Sequence, residues 1–258
     1  MTDDDPVDEA LTAAVDGVHL AFRRRAGNAR PLDICSHCCV AEATARRLEE
    51  LPPARLTAND FYEYNSSAKS DIQRADEVGH FLPQMLALLA RGEEIHHSLE
   101  ISLDRLGRCP KDSWNAQELA ALDGFALAYF DALLCGPLAH RPFDDPLSVL
   151  LMFDIGGVPI EPLLRHWERC EHPASTVQFV QSTYWGFWCA DRHVNAFADG
   201  RPDFLRQVSE WLLDPACRAR FARRLIDADF LAVAARVPDT GCMSFASMAD
   251  GVFDHLTR

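Results

Sequence analysis

Apolar residues recur at three- and four-residue intervals along nearly the whole chain, a spacing that predicts helices. Val7, Leu11, Val15, Val18 and Phe22 form a first stripe, with Asp5 placed to cap it, Pro6 at the first helical position and Gly27 closing it. A second helix is expected after the stretch Cys35-Ser36-His37-Cys38-Cys39. Thr57-Ala58-Asn59-Asp60 then has the form of a capping box ahead of Phe61, Tyr62 and Tyr64, with Asp in place of the preferred Glu. Ile95, Leu99, Leu103 and Leu106 predict an amphipathic helix that ends at Gly107. Asn115 and Glu118 open the strongest pattern, which carries Leu119, Leu122, Ala126, Tyr129, Phe130 and Leu133 up to Gly136.

The second half repeats the style. Asp145-Pro146 starts an apolar helix that stops at Gly156-Gly157, and Pro159 and Pro162 punctuate another that ends near His172-Pro173. A long aromatic helix is expected from about residue 173 to 199, holding Val177, Val180, Tyr184, Phe187, Trp188 and Val194. Pro202 and Pro215 begin two more, and a last one falls between Met243 and Leu256. No run alternates apolar and polar residues with period two between turn residues, so strands are not expected. The fold class is therefore all-α, a multi-helix bundle or an irregular α-solenoid of roughly a dozen helices. No fixed repeat of the ankyrin or tetratricopeptide kind is present. The least helical stretch, Gly136 to Pro146, divides an N-terminal lobe (1–136), which carries the cysteine cluster, from a C-terminal lobe (145–258). One continuous domain is the alternative.

Composition adds limits. With 258 residues, 48% hydrophobic and 25% charged, the chain has an ordinary globular make-up and is long enough for a sizeable core. Its formal charge of −14 argues against nucleic acid and leaves a protein partner with a basic face as the better electrostatic match. Arg23-Arg24-Arg25 and the arginines between Arg218 and Arg236 suit solvated helix faces. No apolar run approaches the roughly 20 residues of a membrane span, and the acidic start, Asp3-Asp4-Asp5, is unlike a secretion signal. A cytoplasmic, reducing setting is expected, in which the nine cysteines are thiols or metal ligands.

Candidate chemistry concentrates at the five residues from Cys35 to Cys39. The two-residue gap between Cys35 and Cys38 lets both sulfurs turn toward one metal ion, as in zinc knuckles. Cys39 is a further candidate ligand, and His80, beside Pro83, is expected near a helix end and is the preferred third ligand. Cys39 or Cys109 would be the fourth, with zinc as the cofactor. Ordinary buried thiols are the competing reading, because free cysteine is among the most buried residue types. A second, weaker metal candidate pairs His166 with Cys170 and Cys189 with His193, each four residues apart and so on one helical face. A thioredoxin-like redox role lacks its βαβ context. The CxxC of alkylhydroperoxidase D-type proteins is followed four residues later by histidine, where this chain has Glu42. No GxSxG, phosphate loop or HExxH occurs, and no catalytic residue is assigned.

Cys35-Ser36-His37-Cys38, Leu51-Pro52, the polar aromatic helix from Phe61 to Ala68 and His80-Phe81-Leu82-Pro83-Gln84 together resemble a group of bacterial all-helical proteins without established activity. Those proteins carry a CxxC, a helix ending in LP and an HFLPR-like motif. The resemblance spans about residues 32 to 92, and Gln84 departs from the usual basic residue. It implies that Cys35, Cys38 and His80 belong to one structural unit. The leading functional expectation is a zinc-stabilised helical protein acting through protein contacts; the alternatives are an acidic immunity or antitoxin-like protein that covers a basic toxin, and a metal- or thiol-dependent enzyme.

Overall fold

The computed structural model describes residues 6–25, 27, 31–136, 145–190, 192–239 and 243–258. Among them it is all-α, with thirteen α-helices and no strand. They are α1 (Pro6–Phe22), α2 (Glu42–Glu50), α3 (Ala58–Ser66), α4 (Ala75–Ala90), α5 (Asp104–Gly107), α6 (Ala116–Cys135) and α7 (Pro146–Ile155). The rest are α8 (Glu161–Arg169), α9 (Pro173–Thr183), α10 (Pro202–Leu213), α11 (Pro215–Leu225), α12 (Ala228–Ala234) and α13 (Phe245–Thr257). None of the described helices is long and apolar enough to cross a membrane. Asp5, the expected cap of α1, and most of the expected interlobe stretch lie outside the described residues.

The chain divides into two compact units, the first of residues 1–129 and 152–159, the second of residues 130–151 and 160–258. In the first, α1 packs along α4, and the rings of Phe61, Tyr64 and Phe81 meet edge-on with centroids 5.0–6.4 Å apart. Phe125, Tyr129 and Phe153 form a second aromatic group there. The second unit is built around Trp167, which Phe130, Phe179, Trp211 and Phe221 surround. Its indole N–H donates to the Ser175 carbonyl, so this large side chain is buried with its polar atom satisfied.

Local sequence signals explain many of the boundaries. Thr57 accepts the Asp60 backbone N–H while the Asp60 carboxylate accepts the Thr57 N–H at 2.8 Å, so the expected capping box is made with Asp. At α6 the Asn115 side chain accepts the N–H groups of Gln117 and Glu118, and Glu118 reaches back to the Asn115 N–H. Pro146, Pro202 and Pro215 sit at first helical positions, where a missing N–H costs nothing.

Three expectations need correction. The pattern from Ile95 to Gly107 does not form one helix; it breaks into a 3-10 turn at Leu99–Ile101 and the single turn of α5. There Ile95, Leu103 and Leu106 are buried by tertiary packing, which a 3.6-residue period does not require to be helical. Pro83 neither breaks nor restarts α4, which runs through it. His80 therefore lies inside the helix rather than at its end. The aromatic helix expected to reach residue 199 ends early: α9 stops at Thr183 and a π-helical turn spans Tyr184–Trp188. The Val194 N–H then returns to the Gly186 carbonyl at 2.9 Å, so the chain has reversed by this point.

The capping box carries a salt pair. Arg47 of α2 donates two hydrogen bonds of 2.8 Å to the buried Asp60 carboxylate, which this pair above all pulls down to about 2. The folded value lies below the ordinary 3.8, so the stabilisation is complete above pH 4 and is lost as pH falls through about 2. Urea unfolding should show Asp60→Asn clearly less stable than the unaltered chain at pH 6, with the gap closing toward pH 2. Thr57→Ala should cost about 1 kcal/mol, the usual value of an N-cap.

Candidate metal centre

The cysteine loop starts from a buried polar anchor. Asp33, two residues before Cys35, has its N–H bound by both carboxylate oxygens of Glu77, each at 3.1 Å. Its carbonyl accepts from Arg105 at 3.0 Å, and its own carboxylate accepts from the Ser70 N–H and the Gln73 side-chain amide. Glu77 and Arg105 are 0% and 1% exposed, which only a network of this kind can sustain for two charged side chains. Arg105 also donates to Gln73, to the Tyr64 carbonyl and to the Ser67 hydroxyl, and stacks over the Tyr64 ring at 3.9 Å. The Tyr64 hydroxyl donates to Glu77 at 3.0 Å. Burial holds the Glu77 carboxyl above its ordinary range against these donors.

From that anchor the chain makes a tight turn. The Cys35 carbonyl accepts the N–H groups of Cys39 and Val40, at 3.2 and 3.1 Å. Val40 is buried, and the next N–H, of Ala41, is held by Glu63 of α3 at 2.9 Å. Both ends of the loop are therefore fixed, and the side chains between them are left outside. Cys38 lies 3.3 Å from Cys35 and 3.3 Å from Cys39, sulfur to sulfur. The ligand atoms of Cys35, Cys38 and Cys39 all fall within 4.8 Å of one another, the one such group of three or more among the described residues. The Cys35 thiol is lowered to about 7, first by the Cys38 thiol and then by the backbone N–H groups of His37 and Cys38 that point at its sulfur. Cys38, between two sulfurs, is pushed up to about 12.

Three thiols so placed can hold a metal ion. Two thiolates on one tetrahedral zinc stand about 3.7 Å apart, given a zinc–sulfur distance near 2.3 Å. The two neighbouring pairs need open by only roughly 0.4 Å to reach that spacing. Vicinal cysteines seldom converge, and here the turn that returns the Cys39 N–H to the Cys35 carbonyl brings the third sulfur back. His80 shares the first unit with this cluster but does not join the group. Its Nδ1 accepts the Gly27 N–H at 3.1 Å, and burial lowers its pKa. Cys109 is buried, donates to the Arg105 carbonyl, and is pushed up to about 12 by that burial.

The second set of candidates is placed differently. His166 and Cys170 do share the end of α8, with the Cys170 N–H on the His166 carbonyl at 2.9 Å. Cys189 and His193 lie beyond the π-turn, outside any helix, where Cys189 is exposed and His193 is buried against Phe204. The four do not gather into a metal-ligand group. The neighbours of His166 and Cys170 are Asp131 and Cys135, at the end of α6: His166 Nε2 is 2.6 Å from Asp131, and the sulfurs of Cys170 and Cys135 are 2.9 Å apart. The four-residue spacing of Asp131 and Cys135 was the available sequence signal for this pairing.

Fold and cluster together define the class: an all-α protein with a surface trio of cysteines able to hold a metal ion. Comparison with models of known protein families, with curated proteins and with solved structures finds no match.

Proposed function

We propose that this chain is a zinc-binding helical protein that works by contact with another protein. Cys35, Cys38 and Cys39 supply the thiolates. The observation that carries the reading is the convergence of their three sulfurs on a loop fixed at both ends by buried or helix-borne groups. An all-sulfur donor set favours zinc over hard cations such as magnesium and calcium. Three protein ligands leave one tetrahedral position, and a side chain of a partner is the occupant suited to a cluster at the surface. A net charge of −14 favours a partner with a basic face. A reducing, cytoplasmic setting accords with thiols kept available as ligands.

Elemental analysis of protein purified without a histidine tag tests the metal. About one zinc per chain is expected, falling to near zero in Cys35→Ser/Cys38→Ser. Well under one zinc in the unaltered protein, or unchanged zinc in the double variant, overturns the assignment. Chelation should also weaken capture of a basic partner at low salt, and capture that ignores zinc separates the contact from the metal.

A further inference from the structure

The second unit holds a pair of thiols that the metal reading leaves unused. Cys135 is the last residue of α6, and Cys170 caps the C-terminus of α8, so two different helices bring their sulfurs to 2.9 Å. Both residues are half-buried. Beside them, one helical turn earlier on each helix, Asp131 meets His166 at 2.6 Å. Each helix thus contributes an acid–base residue and a thiol at positions four apart.

We propose that Cys135 and Cys170 form a thiol–disulfide exchange site, with Cys170 the attacking thiol, Cys135 the resolving thiol and a small disulfide as the substrate. At 2.9 Å the two sulfurs stand closer than either 3.3 Å pair of the cysteine loop. They need to approach by only roughly 0.9 Å to bond at the usual disulfide length. A metal reading of the four residues also lacks support, since no three of their ligand atoms gather within 4.8 Å of one another.

Placement sets the roles. His166 is raised from its ordinary value, first by its hydrogen bond to Asp131, and its ring is the nearby group whose charge would favour an anionic Cys170. Cys170 is lowered to about 6, foremost by its sulfur–sulfur contact with Cys135 and then by Ser175 and the His172 N–H. Cys135, on the other side of that contact and beside Asp131, is raised. The loop that carries Cys170 is held by the Ser175 hydroxyl on the Cys170 carbonyl at 3.0 Å, and by Arg224 on the Glu168 carbonyl at 2.7 Å.

The chemistry balances as two exchanges. The Cys170 thiolate attacks one sulfur of the small disulfide, forms a mixed disulfide and expels the other half as a thiolate. Cys135 gives its proton to that thiolate and attacks the Cys170 sulfur. The Cys135–Cys170 bond forms and the second half leaves as a thiolate. The substrate gains the two electrons that the two cysteines lose.

The test uses the full chain with Cys35, Cys38 and Cys39 replaced by Ser, exposed to glutathione disulfide, quenched with an alkylating agent and read by peptide mass spectrometry. The expected product is a Cys135–Cys170 linked peptide. With Cys135→Ser added, Cys170 should accumulate as its glutathione adduct; with Cys170→Ser instead, Cys135 should stay largely unmodified. Adding His166→Gln to the Cys135→Ser chain should slow adduct formation about tenfold. The proposal is overturned if the linked peptide is absent, if Cys135 takes up glutathione as readily as Cys170, or if His166→Gln leaves the rate unchanged. The linked peptide is sought in a chain with α6 and α8 unaltered, so a variant that fails to fold does not remove the decision.

Discussion

Arg105→Met is expected to destabilise the first unit by about 3–5 kcal/mol, the usual cost of removing one member of a buried charged network. The side chain is 1% exposed and donates four hydrogen bonds, to the carbonyls of Asp33 and Tyr64, the Gln73 side chain and the Ser67 hydroxyl. Methionine fills much of the volume and satisfies none of those acceptors. It also removes one of the two positive charges, beside that of Arg74, that favour the ionised form of Glu77. Glu77→Gln in the same chain should therefore recover part of the loss, because it removes a buried carboxylate left with less compensation. Hydrogen exchange should report lost protection in α3 and α4, with α10 and α11 unchanged. Since Arg105 also holds the Asp33 carbonyl, retention of the zinc proposed for the cysteine loop should fall as well. A loss below 1 kcal/mol would show that these hydrogen bonds contribute little in solution.

Gly107→Ala should do at least as much harm by a different route. A methyl group built at Gly107 would stand 1.8 Å from the Ile155 carbonyl oxygen and 2.9 Å from its carbon, both atoms of the backbone. No rotamer change relieves a clash with main chain, so α5 or the Ile155–Gly156 turn must move. A cost of about 4 kcal/mol or more is expected, at the far end of what single substitutions do. Gly124→Ala is the control, because nothing lies within 4 Å of the added carbon in the middle of α6. It should stabilise the chain by about 0.5–1 kcal/mol through the unfolded state and helix propensity. Thermal unfolding of the two variants side by side should show shifts of opposite sign, and equal shifts would mean that the Gly107 approach is not maintained.

These two positions also show where reading the sequence stops. Gly107 was legible as the end of a helical pattern, but its value lies in the approach of Ile155, 48 residues away. Arg105 and Glu77 are charged residues of the kind usually solvated, and nothing in their local pattern marks them as the anchor of the cysteine loop. The cluster itself was half legible. Cys35 and Cys38 converge, as their spacing suggests, and Cys39 joins them. The proline beside His80 predicts a helix end there, whereas α4 continues through Pro83 and presents His80 to the Gly27 N–H. In the second unit, the spacing of His166 and Cys170 pointed to the right face of α8. The partner face came from α6 instead of the Cys189–His193 stretch, because the chain reverses after the π-turn.

By itself, then, the sequence determined the all-α class, most helix starts and the CxxC turn. Each of these is decided within about one helical turn, by a side chain bonding a nearby N–H, by a proline at a first position, or by apolar spacing. Tertiary structure decided which helix Pro83 spares, where the aromatic run reverses, and which thiols meet across two helices. Those outcomes depend on burial and on approaches between residues tens of positions apart, and no local pattern records which distant face will arrive.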